Sequence, residues 1–349
     1  MYFGRGIILI TYVDDTLFFG PDVKEIEKVI SELEGLGYGL TREEGDETTA
    51  FAFLGVSILL DPTTKMLKMT QGGLIKKVLG ATGMSECNTR GSPALCTPLG
   101  ADADGPRRKD TWNYASAIGM LMYLASNAHP EIQFAVHQCA RFTHCPRASH
   151  EEGVKHICRY LQGVKDNGLT FKPSSDLQLD CYVDADFAGL WNYESDQDPV
   201  CVKSRTGYVM TLGGCPIQLN SKLQTEIALS TTESEYIGLS QAMRELIPLR
   251  RLLLEIATEM QLGGIKGGAR IKSTVFKDNN GAIATATAVK MTPRTKHIAV
   301  KYHFFKNHVS EENGISLAKI DTNRQKADIF TKGLAPQKFV EMRKLLCGW

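Results

Sequence analysis

Leu177-Gln178-Leu179-Asp180-Cys181-Tyr182-Val183-Asp184-Ala185-Asp186 alternates apolar and polar side chains and closes on two acids. Period-two alternation marks a strand with one face in a core. Two more strand-like runs follow around 206–212 and 216–221. Ser230-Thr231-Thr232-Glu233 then opens a helix as a capping box. Ile271 to Lys277 is a further strand, and Asp278-Asn279-Asn280-Gly281 turns it into another helix. Residues 294–309 read as a basic helix, Ile315 to Ile320 as a strand, and a last helix begins near Gln325. Three strands, a helix, a strand and then mixed elements predict an α/β (α+β) domain with a mixed sheet.

Upstream, the pattern is different. Ile7 to Val13 and Thr16 to Phe19 form a hairpin about Asp14-Asp15, ended by Gly20-Pro21. A lone hairpin is marginal in water, so we expect a segment before residue 1 to complete it. Residues 22–37 carry Val23, Ile26, Val29, Ile30, Leu33 and Leu36 at helical spacing, with Gly37 as a stop. Phe51 to Leu60 reads as one strand and 71–80 as a short helix. Residues 88–111 are rich in Gly, Pro, Asp and Ser and read as a linker or mobile loop, and 113–165 are helical with a stop near His129-Pro130.

The 349 residues suggest two or three domains at about 150 each. With 43% hydrophobic and 23% charged residues the composition is globular. No run reaches the roughly 18 apolar residues of a membrane helix, so no membrane partner is expected. The nine cysteines form no Cys-x-x-Cys pair, which argues against a zinc knuckle. An odd count without a secretion signal suggests reduced thiols and an intracellular protein. The formal net charge of +1 gives no global case for nucleic acid, so any such case rests on local clusters. Residues 290–306 supply one, with Lys290, Arg294, Lys296, Lys301 and Lys306 and no acid.

Four acids stand at expected element ends: Asp184, Glu233, Asp278 and Asp328, each about 45–50 residues from the next. Phosphodiester hydrolysis builds charge on the attacking and leaving oxygens, which two Mg²⁺ ions about 3.5–4 Å apart can stabilise. Mg²⁺ takes oxygen ligands, and clustered carboxylates suit it. Each acid also has a plainer reading. Glu233 completes a capping box, Asp278 suits a turn or N-cap, Asp184 a strand end, and Asp328 a helix dipole. Spacing alone leaves both readings open.

The order of the motifs narrows the choice. Tyr12-Val13-Asp14-Asp15, Phe53-Leu54-Gly55-Val56, Tyr114 to Leu124 with His129-Pro130-Glu131-Ile132, and Tyr182 to Gly189 come first. Ser204-Arg205-Thr206-Gly207-Tyr208, Ser221-Lys222-Leu223-Gln224 and Ser230 to Tyr236 follow. Lys277-Asp278-Asn279, Lys296-His297-Ile298 with Tyr302-His303-Phe304, and Ala327 to Leu334 complete the series. Over nearly its whole length the chain resembles the C-terminal part of the Pol polyprotein of copia-type LTR retrotransposons.

That resemblance implies three regions: the C-terminal part of a reverse-transcriptase palm over 1–87, a thumb/connection-like helical region with linker over 88–172, and a ribonuclease H-like domain over 173–349. It implies an endonuclease that cuts the RNA strand of an RNA–DNA hybrid, with Asp184, Glu233, Asp278 and Asp328 holding two Mg²⁺ (or Mn²⁺). Asp14 and Asp15 match two of three polymerase metal ligands. The third and the fingers lie upstream in the family, so DNA synthesis is not expected from this chain alone. Glu235 and Asp186 are read as neighbours that support the matched acids. Arg294, Lys296, Lys301 and Arg159 are expected on the phosphate track. His297 and His303 are read as packing or phosphate-contact residues, and no histidine stands between Ile320 and Asp328. An upstream Pol segment or second subunit is an expected partner, and the expected location is cytoplasmic (a virus-like particle) or nuclear. The rival expectations are an inactive remnant that only binds nucleic acid and a reverse-transcriptase component completed from upstream.

Overall fold

The computed structural model describes residues 1–41, 50–174, 178–261, 271–288, 298, 300–310 and 312–349. Strands β1 (Tyr2–Gly4), β2 (Ile7–Tyr12) and β3 (Asp15–Phe19) form an antiparallel sheet. The turn of its second hairpin is Val13-Asp14, with Val13 at φ 53°, and Asp15 already pairs with Tyr12. Helix α1 (Val23–Gly35) starts where Asp22 accepts a hydrogen bond from the Lys24 amide at 2.9 Å, and it buries none of its residues.

The expected single strand at 51–60 is instead a hairpin of β4 (Ala50–Phe53) and β5 (Val56–Asp61). Leu54 and Gly55 both take positive φ, 50° and 72°, the mark of a two-residue turn whose twist suits paired strands. Strand β6 (Met66–Thr70) extends this sheet. Helices α2 (Gly72–Ala81), α3 (Tyr114–Asn127), α4 (Gln133–Ala140) and α5 (Ala148–Val164) follow, and β7 (Gly168–Phe171) returns to pair with β6. Their apolar faces meet in a core around Ile75, Leu121, Ile132, Ile157 and Leu161, all fully buried. Residues 88–111 carry no helix or strand beyond a single bridge from Arg107 to Arg147.

The second core belongs to a five-stranded mixed sheet. It contains β8 (Leu179–Asp186), β9 (Arg205–Leu212), β10 (Cys215–Leu223), β11 (Ser273–Lys277) and β12 (Ile315–Lys319). The order is β10-β9-β8-β11-β12, antiparallel through the first three and parallel through the last three. Helix α6 (Thr231–Glu259) and helix α7 (Asn280–Thr287) flank β11 in sequence, and α8 (Pro336–Cys347) ends the chain. Leu179, Cys181 and Val183 point into the core shared with Tyr236, Leu239 and Met243 of α6. The fold class is α/β with a mixed sheet, as the expected order of strands and helices implies. Leu177, at the start of the expected strand, lies outside the described residues.

Two expectations near the C-terminus change. The last helix begins at Pro336, not near Gln325, because residues Lys326–Phe330 form a 3-10 turn instead. Proline suits the first helical position, where its missing N–H costs nothing. Helix α8 then packs on the first core through Phe339, Met342 and Leu346. Of the expected helix at 294–309, the described part forms 3-10 turns at Val300–Tyr302 and Phe304–His308.

Candidate metal centre

Strand register brings the first two acids together. Strands β8 and β11 are parallel, with Tyr182 beside Phe276. Extending that register by two residues sets Asp278, just past the end of β11, level with Asp184. A third acid comes from α6. One oxygen each from Asp184, Glu235 and Asp278 lies within 4.8 Å of the others, and this is the one such group of three among the described residues.

Glu233, the acid expected here, is placed elsewhere. Its amide donates to Ser230 Oγ at 3.1 Å, and its carboxylate accepts from the Leu229 amide at 2.7 Å. That capping pair spends it on the helix end. Glu235 is turned about 200° further round the helix. It leads a stripe of buried residues at i+4, i+7 and i+11, namely Leu239, Ala242 and Leu246. That periodicity does not single out Glu235 in the sequence, because Ile237 and Ser240, at i+4 and i+7 from Glu233, are buried as well.

Asp328 arrives on the 3-10 turn, which packs over β9. Lys332 Nζ stands 3.1 Å from Asp328 Oδ1 and 3.8 Å from Asp184 Oδ2. Thr331 Oγ1 donates to Asp184 Oδ2 at 2.5 Å. Asp278 accepts from Thr322 Oγ1 at 3.2 Å, in the segment that lacks a histidine. On the other side Lys277 Nζ is fully buried. It donates to the Val183 carbonyl at 2.9 Å, pairs with Glu235, and lies 3.4 Å from Asp278 Oδ1.

Burial pushes the Glu235 carboxyl up to about 8, against the pull of Lys277 and with the push of Asp184. Burial and then the Asp184 charge raise Asp328 to about 7. Asp186 rises to about 6 because it is buried, although Lys332 opposes this. Glu235 Oε2 and Asp328 Oδ1 are buried, and among the described residues each meets an ammonium without an aligned hydrogen bond. Hard oxygen donors, crowded and still unsatisfied, fit a divalent cation such as Mg²⁺ or Mn²⁺.

The remaining predicted residues do not join this group. Asp14 and Asp15 sit exposed at the β2–β3 turn and enter no cluster of three metal-binding side chains among the described residues. Lys301 pairs with Glu226, and Arg159 with Glu152, so both charges have acidic partners. Lys290, Arg294, Lys296 and His297 lie outside the described residues. His303 accepts or donates at 2.7 Å to the Tyr236 hydroxyl, a packing role. All nine cysteines are free thiols. Among the described residues no helix is long and apolar enough to cross a membrane.

No protein-family model matches the chain. It is 34% identical over 98% of its length to the retrovirus-related Pol polyprotein from transposon TNT 1-94 of Nicotiana tabacum. It is 31% identical to the putative transposon Ty5-1 protein of Saccharomyces cerevisiae, covering 69% of this chain and 74% of that one. The chain belongs to the Pol family of copia-type retrotransposons. This Pol segment is also 30% identical over 96% of its length to the Pol polyprotein from transposon RE1 of Arabidopsis thaliana. It spans only 24% and 21% of the tobacco and Arabidopsis polyproteins. Among solved structures it is similar to LC11-RNase H1 from compost, at 16% identity and a TM-score of 0.31, covering 44% of this chain and 93% of that one.

Proposed function

We propose that this Pol segment is a ribonuclease H-type endonuclease that hydrolyses the RNA strand of RNA–DNA hybrids. The observation that carries this reading is the convergence of Asp184, Glu235 and Asp278 from three different elements within 4.8 Å. These three would hold the divalent cation, with Asp328 beside them. When bound, Mg²⁺ or Mn²⁺ supplies Lewis-acid stabilisation of the oxygens that gain charge. The chain's own part is positional. Thr331 orients Asp184, Thr322 orients Asp278, and Lys332 neutralises charge between Asp184 and Asp328. The basic residues of 290–306, with Arg159, are our candidates for phosphate contacts, since a hybrid is gripped mainly through its backbone and shape.

The test is Mg²⁺-dependent cleavage of a labelled hybrid by the purified chain. Glu235→Gln and Asp278→Asn should each lose at least about 10²-fold in kcat, the scale of losing one preorganised charge-stabilising group. Glu233→Gln should keep cleavage near the unsubstituted level and change stability little, because a glutamine also completes a capping box. Equal cleavage by the wild type and Asp278→Asn overturns the assignment.

A second reading draws on the length of the tobacco and Arabidopsis polyproteins. In such a longer protein the exposed Asp14-Asp15 turn would contribute to a polymerase centre completed by other segments. Primer extension on adding a fingers–palm fragment would support it, and failure to extend would count against it.

A further inference from the structure

The carboxylate site contains a cation of its own. Lys277 is the last residue of β11, and its side chain is fully buried. Lysine is almost never fully buried unless paired. Here the ammonium donates to the Val183 carbonyl and to Asp278 and forms an ion pair with Glu235. The Val183 carbonyl precedes Asp184, so the anchor is the strand that bears the first ligand. Lys332 is different. It reaches Asp184 and Asp328 from the rim, and its side chain is 42% exposed. One ammonium can swing into water, whereas the other is held by main chain in a closed space.

We propose that Lys277 is a permanent cationic member of the site and takes the place of part of the metal charge, so that the protein binds one divalent ion rather than two. The geometry supports this: Lys277 Nζ already occupies the space between Glu235 and Asp278, where a second ion would bridge the two carboxylates. A second ion lodged between Glu235 and Asp278 would have to displace Lys277 Nζ. That ammonium would then be buried without counter-charge, which proteins do not tolerate cheaply. The inference rests on the proposed metal-centre reading and concerns how many ions that centre holds.

The experiment is a titration of the purified full chain with Mn²⁺ alone, read by calorimetry and by the free-ion paramagnetic resonance signal. The wild type should bind one Mn²⁺ per chain. Lys277→Met should bind two, or one at least 10-fold more tightly. Its melting temperature in metal-free buffer should be lower, with a larger rise on adding Mn²⁺. Two ions on the wild type, or a Lys277→Met variant with wild-type stoichiometry and affinity, overturn the role of Lys277 while leaving the metal centre standing. No Mn²⁺ binding by either protein overturns the metal centre itself. The wild-type stoichiometry decides the matter even where Lys277→Met does not fold.

Discussion

Gly207 lies opposite Asp184 in the β8–β9 ladder, under the 3-10 turn that carries Asp328. Its missing side chain is what lets that turn close. An alanine Cβ there would stand 2.7 Å from Thr331 Cγ2, 2.8 Å from Phe330 Cβ and 3.0 Å from the Ala327 carbonyl oxygen. Carbon atoms pack best at about 3.5–4.0 Å, so the overlap is about 1 Å on two sides. Overpacking of this kind costs about 1–3 kcal/mol. The cheapest relief lifts the 3-10 turn by a similar distance and breaks the Thr331–Asp184 hydrogen bond. A displacement of about 1 Å in a positioned group can cost about 10²-fold in rate. Gly207→Ala should therefore lower the urea midpoint and reduce hybrid cleavage about 10²-fold with little change in KM. Gly238→Ala is the control. Its Cβ would meet only ordinary contacts at 3.5–3.6 Å, and alanine within a helix gains about 0.5–1 kcal/mol. Gly207→Ala with wild-type midpoint and cleavage within twofold would refute the packing argument.

Metal and proton should compete at the site. The Glu235, Asp328 and Asp186 carboxyls are raised, to about 8, 7 and 6, so the folded chain holds protons that the unfolded chain has released. Their contribution to stability is complete below the unfolded pKa values near 4 and is lost as pH rises towards 8. In chelator the melting temperature should fall from pH 5 to pH 8, and the gain on adding Ca²⁺ should grow over the same range. A Ca²⁺ effect that is flat with pH would contradict this. A second prediction concerns buried Glu131 in the first core. It pairs with His129 at 2.8 Å and accepts from Tyr160 at 3.2 Å and from Cys347, on α8, at 3.4 Å. Glu131→Ala strips those partners, and breaking a buried pair costs about 3–5 kcal/mol. A loss under about 1 kcal/mol in urea denaturation would show that the network is not what docks α8.

Local pattern was enough to find most elements and the family order of the motifs. The alternation before Asp184 set its strand, the Ser230 capping box set the start of α6, and Asp278 followed its strand as expected. The hairpin at Leu54-Gly55 was hidden because a leucine carries positive φ there, which residue type does not advertise. The 3-10 turn at Asp328 was hidden because its conformation depends on the glycine beneath it, more than 100 residues away in sequence. The choice between Glu233 and Glu235, the level register of Asp184 and Asp278, and the burial of Lys277 among them were tertiary outcomes. Periodicity states what one segment can do by itself. Which carboxylates share a site depends on strand register and helix phase, and those are set only when distant segments bury their apolar faces against one another.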